Sequence, residues 1–596
     1  MKDLLKYLKN YRVRAVLAPL FKLLEASFEL LVPLVMAAII DKGIGNNDKA
    51  YIFKMGAVMI ALGVVGLTCS ITAQYFSART AMGFGRELRA DLFRHITSLS
   101  YTEVDKLGAS TLITRMTNDV NQLQTGVNMF LRLFLRSPFI VFGACIMAFT
   151  VDVKVALIFV IALPVLVIIV FGIMFKSIPL YKKVQGKLDT VLLKSRESLS
   201  GARVIRAFNR ERTEEEDYRK ATEELTHEQL FVGRISAFLN PLTYVVINLS
   251  IAALVWFGGE QVDLGLLKQG GVYALVNYMS QILVELVKLA NLIIIEMKTI
   301  ASANRVAEVF AVKSSMSFDK SASLDEKTNA SDGAFISFKN AGLTYKDASE
   351  PSVTGINLEV RRGETIGVIG GTGSGKSTLM NLIPRFYDCT EGSIEIDGKP
   401  ISDYGMEELR GSIGIVPQKA ALFSGTIADN LKLADSNASD EELEIALKTA
   451  QAYDFVKEKP GGLKHFIEQK GRNLSGGQKQ RLTIARALVG KPQILILDDS
   501  SSALDYATDA ALRKAIKELP GELTVFIVSQ RTASIMHADK ILVLDDGRQV
   551  GLGTHEELLE SCEVYREIHM SQDTGTEKDS SGLRSNRKSL NGEAFA

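Results

Sequence analysis

The chain has 596 residues, with 69 Lys plus Arg against 68 Asp plus Glu and a formal net charge of +1; that balance excludes a histone-like or tail-driven nucleic-acid binder. Hydrophobic residues make up 47% of the sequence and the mean hydropathy is +0.13, which over so long a chain calls for membrane segments diluted by a soluble part. The 4 cysteines form no C-x-x-C pair and no Cys/His cluster, so a disulfide framework and a zinc site of the usual spacing are excluded; Cys69 and Cys145 fall in apolar runs and read as small buried hydrophobes.

In chain order, Met1–Leu24 carries Lys2, Lys6, Lys9, Arg12 and Arg14. It lacks a signal peptide's compact apolar core and cleavage site, and reads as a cytoplasmic lead-in. Six apolar runs approach or exceed the ~20 residues that cross a bilayer, at about 15–40, 55–78, 131–151, 154–175, 238–260 and 272–296. Arg79, Arg86, Arg89, Arg94 and Arg115 lie between the second and third runs. Lys176, Lys182, Lys183, Lys187, Arg203, Arg206, Arg210 and Arg212 lie between the fourth and fifth. The opposite loops are short, with Lys42, Lys49 and Lys154. The bias places both long loops and both termini in the cytoplasm. Leu88, Leu92, His95 and Ile96 share one helical face, predicting spanning helices that continue below the membrane. Connecting helices around Tyr101–Lys106 and Phe208–Glu214 would then meet a cytoplasmic partner.

Charges interrupt the apolar runs: Glu25 and Glu29 in the first, Glu285, Lys288 and Glu296 in the sixth. At membrane depth such groups face protein or a water-filled cavity, and Glu285 and Lys288 stand at i, i+3, where they can pair. A substrate or gating contact and a structural ion pair both stand open, as does snorkelling for Glu25 and Glu296. Arg132 and Arg136 read as interface anchors; Phe130, Phe134, Phe139 and Phe142 read as packing or lipid contacts. The segment 311–333 is rich in Ser, Asp and Lys and reads as a linker. The tail 572–596 reads as disordered. These divide the chain into a membrane part, 1–310, and a soluble part, 334–571.

The soluble part holds Gly370-Gly371-Thr372-Gly373-Ser374-Gly375-Lys376-Ser377-Thr378, which matches G-x-x-x-x-G-K-[ST]. A strand-like run, Thr365–Ile369, precedes it and a helix is expected from Thr378. Glycines let backbone N–H groups turn inward around phosphate oxygens, Lys376 supplies positive charge and Ser377 can ligate Mg²⁺. Downstream, Ile494–Asp498 is an apolar strand ending in a carboxylate that can hold the Mg²⁺ hydration shell opposite Ser377. Between them lies Leu474-Ser475-Gly476-Gly477-Gln478-Lys479-Gln480-Arg481, whose Ser475 and glycines open a helix with donors free to grip a phosphate.

With these motifs in this order the chain resembles an ABC transporter half-subunit over about residues 1–570, with Leu474–Gln478 as the signature. The resemblance implies an all-α six-helix transmembrane domain followed by an α/β P-loop nucleotide-binding domain, in the cell membrane as a multi-pass protein. It implies ATP and Mg²⁺ as ligands: Gly370 to Thr378 cradle ATP, and Ser377, Gln418 and Asp498 hold the metal. Tyr345 resembles the aromatic that stacks on adenine, Gln418 the Q-loop glutamine, Ser502-Ala503-Leu504-Asp505 the D-loop, and Glu468–Gly471, in outline, the exporter X-loop. In this family two nucleotide domains close head to tail, so that Ser475, Gly476, Gly477 and Gln478 complete the other subunit's site.

Two departures bear on catalysis. Asp499 stands where the family carries a Glu base, and Gln530 where it carries a switch His. Asp is about 1.5 Å shorter in reach, a base must lie within hydrogen-bond distance of its water, and an amide does not titrate. A site with Asp499, Gln530 and Gln418 is therefore expected to bind ATP but hydrolyse it poorly, while the intact signature serves a different half-transporter. The resemblance is to one subunit of the bacterial heterodimeric multidrug-type exporters. Its substrate would be an amphipathic drug, lipid or peptide. A homodimeric exporter with a slow Asp base and a membrane ATPase acting as a regulatory or sensor complex stand as alternatives.

Overall fold

The computed structural model describes residues 2–316, 333–346, 348–500 and 502–572. Most of the expected linker, 317–332, and all of the expected tail beyond Gln572 lie outside the described residues. The chain forms two compact units, Met1–Ser98 with Gly108–Lys313, and Leu99–Leu107 with Ser314–Ala596. The short helix Tyr101–Leu107, inside the stretch read as the membrane part, groups with the second unit. There the Tyr101 ring packs 4.7 Å from Phe386 and 6.2 Å from Tyr387, centroid to centroid, and Tyr387 Oη donates to Asp105 Oδ2 at 2.5 Å.

In the first unit six helices are long and apolar enough to cross a membrane: Lys6–Ile44, Lys49–Ser98, Ala109–Val151, Val153–Ser200, Glu211–Asp263 and Gln269–Ala311. Each contains one of the apolar runs read from the sequence. In lipid every backbone group must be satisfied within the segment, which only a helix or closed barrel achieves. With 39 to 53 residues each, they reach roughly 60–80 Å against a hydrocarbon core of ~30 Å, so they extend well past the membrane. The third is interrupted by a π-helical turn at Arg115–Asp119 and by a turn at 134–135; Pro164 and Pro179 lie inside the fourth. The second connecting helix is Ala202–Ala207, nearly two turns earlier than expected. Residues 208–210 form a turn with Asn209 at φ 53, and Glu211 and Glu214 open the next long helix, where acidic side chains favour the positive end of the helix dipole.

A core of Phe159, Leu166, Leu254, Leu275, Tyr278, Met279 and Ile282 holds this unit together. Cys69 is buried and Cys145 half-buried. The interface-anchor expectation for Arg136 is overturned. The residue is buried, and its two terminal nitrogens bind Glu285 Oε1 and Glu29 Oε2, each at 2.6 Å. A guanidinium at that depth is held by paired carboxylates rather than by lipid headgroups.

The second unit is built on a ten-stranded sheet. Its strands are β1 Ile336–Leu343, β2 Val353–Val360, β3 Thr365–Gly370, β4 Glu391–Ile396, β5 Lys399–Pro400 and β6 Ile413–Val416. A separate pair is β7 Gly425–Thr426 with β8 Phe466–Ile467. The large sheet continues with β9 Ile494–Asp498, β10 Thr524–Val528, β11 Lys540–Asp545 and β12 Arg548–Gly553. The order is β5-β4-β1-β2-β12-β11-β3-β10-β9-β6. Strands β6, β9, β10, β3 and β11 run parallel. Their continuous apolar runs follow from burial on both faces: Ile366, Val368, Ile496, Phe526 and Val528 pack on one side, Leu495, Leu497, Val525 and Ile527 on the other. The functional segments leave the carboxyl ends of these strands, where ligands of open α/β sheets bind.

Candidate functional site

The loop after β3 turns back on itself to start the helix Lys376–Leu382. Gly373 and Gly375 hold φ values of 87 and 88, a left-handed region that side chains resist. A Cβ on Gly375 would also sit 2.6 Å from the Ser352 carbonyl oxygen. Inside this turn Lys376 Nζ donates to the Gly370 and Gly371 carbonyls at 2.9 and 2.6 Å, and to Ser374 Oγ at 3.3 Å. Burial pushes the Lys376 ammonium below its usual pKa, while the charges of Asp499 and Asp498 act in the opposite sense.

Ser377 Oγ donates to Asp498 Oδ1 at 3.1 Å, so the hydroxyl at the start of the helix and the carboxylate at the end of β9 already face each other. Burial raises the Asp498 carboxyl above its usual range; the Ser377 hydrogen bond opposes this and the neighbouring Asp499 charge adds to it. One carboxylate and one hydroxyl beside phosphate oxygens suit Mg²⁺, which keeps water and takes few protein ligands. The residues present therefore fit a nucleotide with its metal: Ser377 and Asp498 would hold Mg²⁺, which would neutralise phosphate charge.

Gln418, just beyond β6, donates through Nε2 to Asp499 Oδ2 at 3.2 Å. Asp499 sits at φ 45, and its N–H donates to the Val528 carbonyl at 3.0 Å, which aims the carboxylate across the end of β10. A cavity of about 450 Å³ is lined by Thr372, Gly373, Gly375 to Thr378, Gln418, Asp498, Asp499 and Gln530. Tyr345 is not on its wall but adjoins it: its Oη lies 3.2 Å from Thr378 Oγ1, and its ring stands edge-on to Tyr387 at 5.1 Å.

The signature residues are elsewhere. Ser475 caps the helix Gly476–Val489, its Oγ accepting from Gln478 N at 3.3 Å while Gln478 Oε1 accepts from Ser475 N at 3.1 Å. None of Ser475, Gly476, Gly477 or Gln478 borders the Lys376 cavity. Ser475 and Gly476 are exposed, and a Cβ on Gly477 would come within 3.1 Å of the Ala503 carbonyl oxygen.

Sequence reasoning missed two features. Glu350, Ser352, Asp546 and Gly547 also line the cavity; the Asp-Gly pair between β11 and β12 is a hairpin signal, which points to a turn but not to its place beside the phosphate loop. Gln572, assigned to the disordered tail, instead lies in a helix described over 563–572. Its Nε2 donates to the Gln530 carbonyl at 2.7 Å, and its Oε1 accepts from Thr532 N at 3.0 Å and Thr532 Oγ1 at 3.1 Å. No motif announces that contact.

Residues 16–286 match the family described as the ABC transporter transmembrane region, and 353–502 match the ABC transporter family. An uncharacterised ABC transporter ATP-binding protein of Mycobacterium tuberculosis (strain ATCC 25618 / H37Rv) is 37% identical, over 95% of this chain and 97% of that one. An ATP-dependent lipid A-core flippase of Hahella chejuensis is 32% identical, over 87% and 88%. The solved structure of a bacterial Atm1-family ABC exporter with ATP bound shares the fold, with a TM-score of 0.77 at 24% identity over 94% of this chain and 99% of that one. With six membrane-crossing helices joined to an ATP-binding unit, and close relatives over nearly its whole length, this chain belongs to the ABC transporter family as an ATP-driven exporter half-transporter, a multi-pass membrane protein.

Proposed function

We propose that this chain is one half of a heterodimeric exporter of amphipathic compounds. In this reading the site built on Lys376 holds ATP and Mg²⁺ but splits the nucleotide slowly, and Leu474–Gln478 completes a competent site whose phosphate loop and Glu belong to a different subunit. One observation carries the reading: the ends of β9 and β10 bring Asp499 and Gln530 to the wall of a single cavity that no histidine lines. One oxygen of Asp499 is engaged by Gln418 at 3.2 Å, and the side chain reaches about 1.5 Å less far toward an attacking water than a Glu would. The Gln530 amide can hydrogen-bond a phosphate but cannot exchange charge. Losing a positioned base slows such chemistry typically by 10²–10⁴-fold.

The exposed Ser475 and Gly476, away from the Lys376 cavity, support a role toward a second subunit. An amphipathic cargo is supported by the flippase relative and by the charges set into the spanning helices. A cytoplasmic nucleotide unit is supported by the Arg- and Lys-rich loops, and outward transport by the fusion of six spans to one nucleotide-binding unit. The test is co-purification through a tag on this chain, followed by steady-state ATPase assays of the complex. A distinct ABC half-subunit is expected in stoichiometric amount. Brisk turnover by the purified chain alone, as identical copies, overturns the reading.

A further inference from the structure

The first unit holds a chain of four charges drawn from three helices. Arg136, on the third, binds Glu29 of the first and Glu285 of the sixth, both at 2.6 Å. Glu285 Oε1 also takes Lys288 Nζ at 2.8 Å, and Glu285 Oε2 takes Ser137 Oγ at 2.8 Å. Glu29 lies about 15 residues before the helix end at Ile44, Arg136 about 15 before Val151, and Glu285 about 16 after Gln269. These are the ends that the charge bias places outside. At 1.5 Å per residue the three meet at one level, about 23 Å from those ends, which falls inside a hydrocarbon core of ~30 Å. Lys288 lies nearly one turn deeper, toward the inner leaflet.

The middle and the ends of the chain differ. Arg136 and Glu285 are buried, their side chains 9% and 3% exposed, and Glu285 has three donors. Glu29 and Lys288 are each 42% exposed, and among the described residues each has a single partner. An ammonium carries three donors and a carboxylate about four acceptor positions, so both ends keep most of their capacity. The Arg136 Nε is buried and finds no acceptor among the described residues. Charges at this depth face the protein interior or a water-filled path rather than lipid; the half-exposed ends suit the latter.

We propose that Glu29 and Lys288 form a recognition site for the headgroup of a zwitterionic amphiphile, its ammonium on Glu29 and its phosphate or carboxylate on Lys288. The charge balance selects this class. The network pairs two acids with two bases, so a singly charged ligand would leave one charge uncompensated in a medium of low dielectric, whereas a zwitterion leaves none. The depth of Lys288 suits a headgroup taken from the inner leaflet. Arg136 and Glu285 are positioning residues that hold the two ends apart. This deepens the amphiphile reading given above and rests on it.

The test uses the full complex, purified through a tag on this chain and reconstituted in vesicles, with ATP-dependent movement of tail-labelled lipids as readout. The probes are phosphatidylethanolamine, phosphatidylglycerol and a cationic alkylammonium amphiphile. The wild type is expected to prefer the zwitterion by about tenfold, which corresponds to ~1.4 kcal/mol. Glu29→Gln shifts preference toward the anionic probe, Lys288→Gln toward the cationic one, and Lys288→Arg keeps the wild-type order. Retained co-purification with the partner and a monodisperse elution show that a variant has folded. Should Lys288→Gln not fold, Glu29→Gln with Lys288→Arg still decides the matter. A wild type that prefers a singly charged probe, or variants that lower all three rates equally, overturns the site while leaving the amphiphile reading intact. A wild type that moves none of the three overturns both.

Discussion

The Lys376 cavity and the Ser475 edge lie in the same unit and serve the same nucleotide chemistry, yet they are equipped differently. The cavity has everything that binding asks for: a glycine turn, a buried ammonium, and a hydroxyl facing a carboxylate at 3.1 Å. It departs from the family pattern only where water must be activated, at Asp499 and Gln530. The edge keeps its full pattern, and its serine is set on a helix N-terminus by a capping box. On the proposed reading, binding and hydrolysis are separable on one chain. Gripping phosphate needs backbone donors and a fixed charge, whereas activating water needs a base at the right ångström.

The comparison breaks most readily at the edge. Ser475→Arg places a bulky cation where the partner's phosphate would dock, and turnover of the complex is expected to fall by about 10²-fold or more. Lys376→Ala should lower it less than about tenfold if this chain's own site contributes little hydrolysis. Steady-state ATPase assays of both variants decide the order, and the reverse order removes the asymmetry. Gly375→Ala sharpens the binding half. Strain at φ 88 and the Ser352 carbonyl 2.6 Å away should weaken ATP at this site about tenfold, in keeping with ~1–3 kcal/mol of backbone strain. Labelling of Lys376-site nucleotide by a photoreactive ATP measures it.

Restoring Asp499→Glu together with Gln530→His should raise single-turnover hydrolysis at this chain's own site several-fold, up to about tenfold, since one base is regained in an otherwise complete site. No rise at all would mean that the two departures do not limit the chemistry. The smallest effect is expected from Gln572→Ala. It removes the bonds to the Gln530 carbonyl and to Thr532, each worth about 1 kcal/mol net. Hydrogen exchange at 529–532 should quicken, with ATP affinity changed less than about threefold.

Six apolar runs and a set of ordered motifs were legible because both are local. A spanning helix needs only its own length and apolarity, and a phosphate loop only its own glycines and lysine. The parallel strands were legible for the same reason, as Thr365–Ile369 and Ile494–Asp498 are apolar whichever face is considered. Arg136 was misread because its position near the start of a span looks interfacial along the chain. Only the bend at 134–135 and the approach of the first and sixth helices bring Glu29 and Glu285 to it. The second connecting helix was misplaced by nearly two turns because Asn209, in the left-handed region, ends one helix and lets Glu211 begin another.

Local chemistry along the chain therefore determined the spans, the nucleotide motifs and the two departures from the family pattern. The tertiary structure decided which of those groups share a cavity, that the signature stands apart from the Lys376 loop, that Gln572 holds the Gln530 carbonyl, and that four charges at membrane depth form one chain. Each of these is a meeting of side chains from distant segments. Such meetings depend on strand order, helix rotation and depth, which a pattern of neighbours along the sequence does not carry.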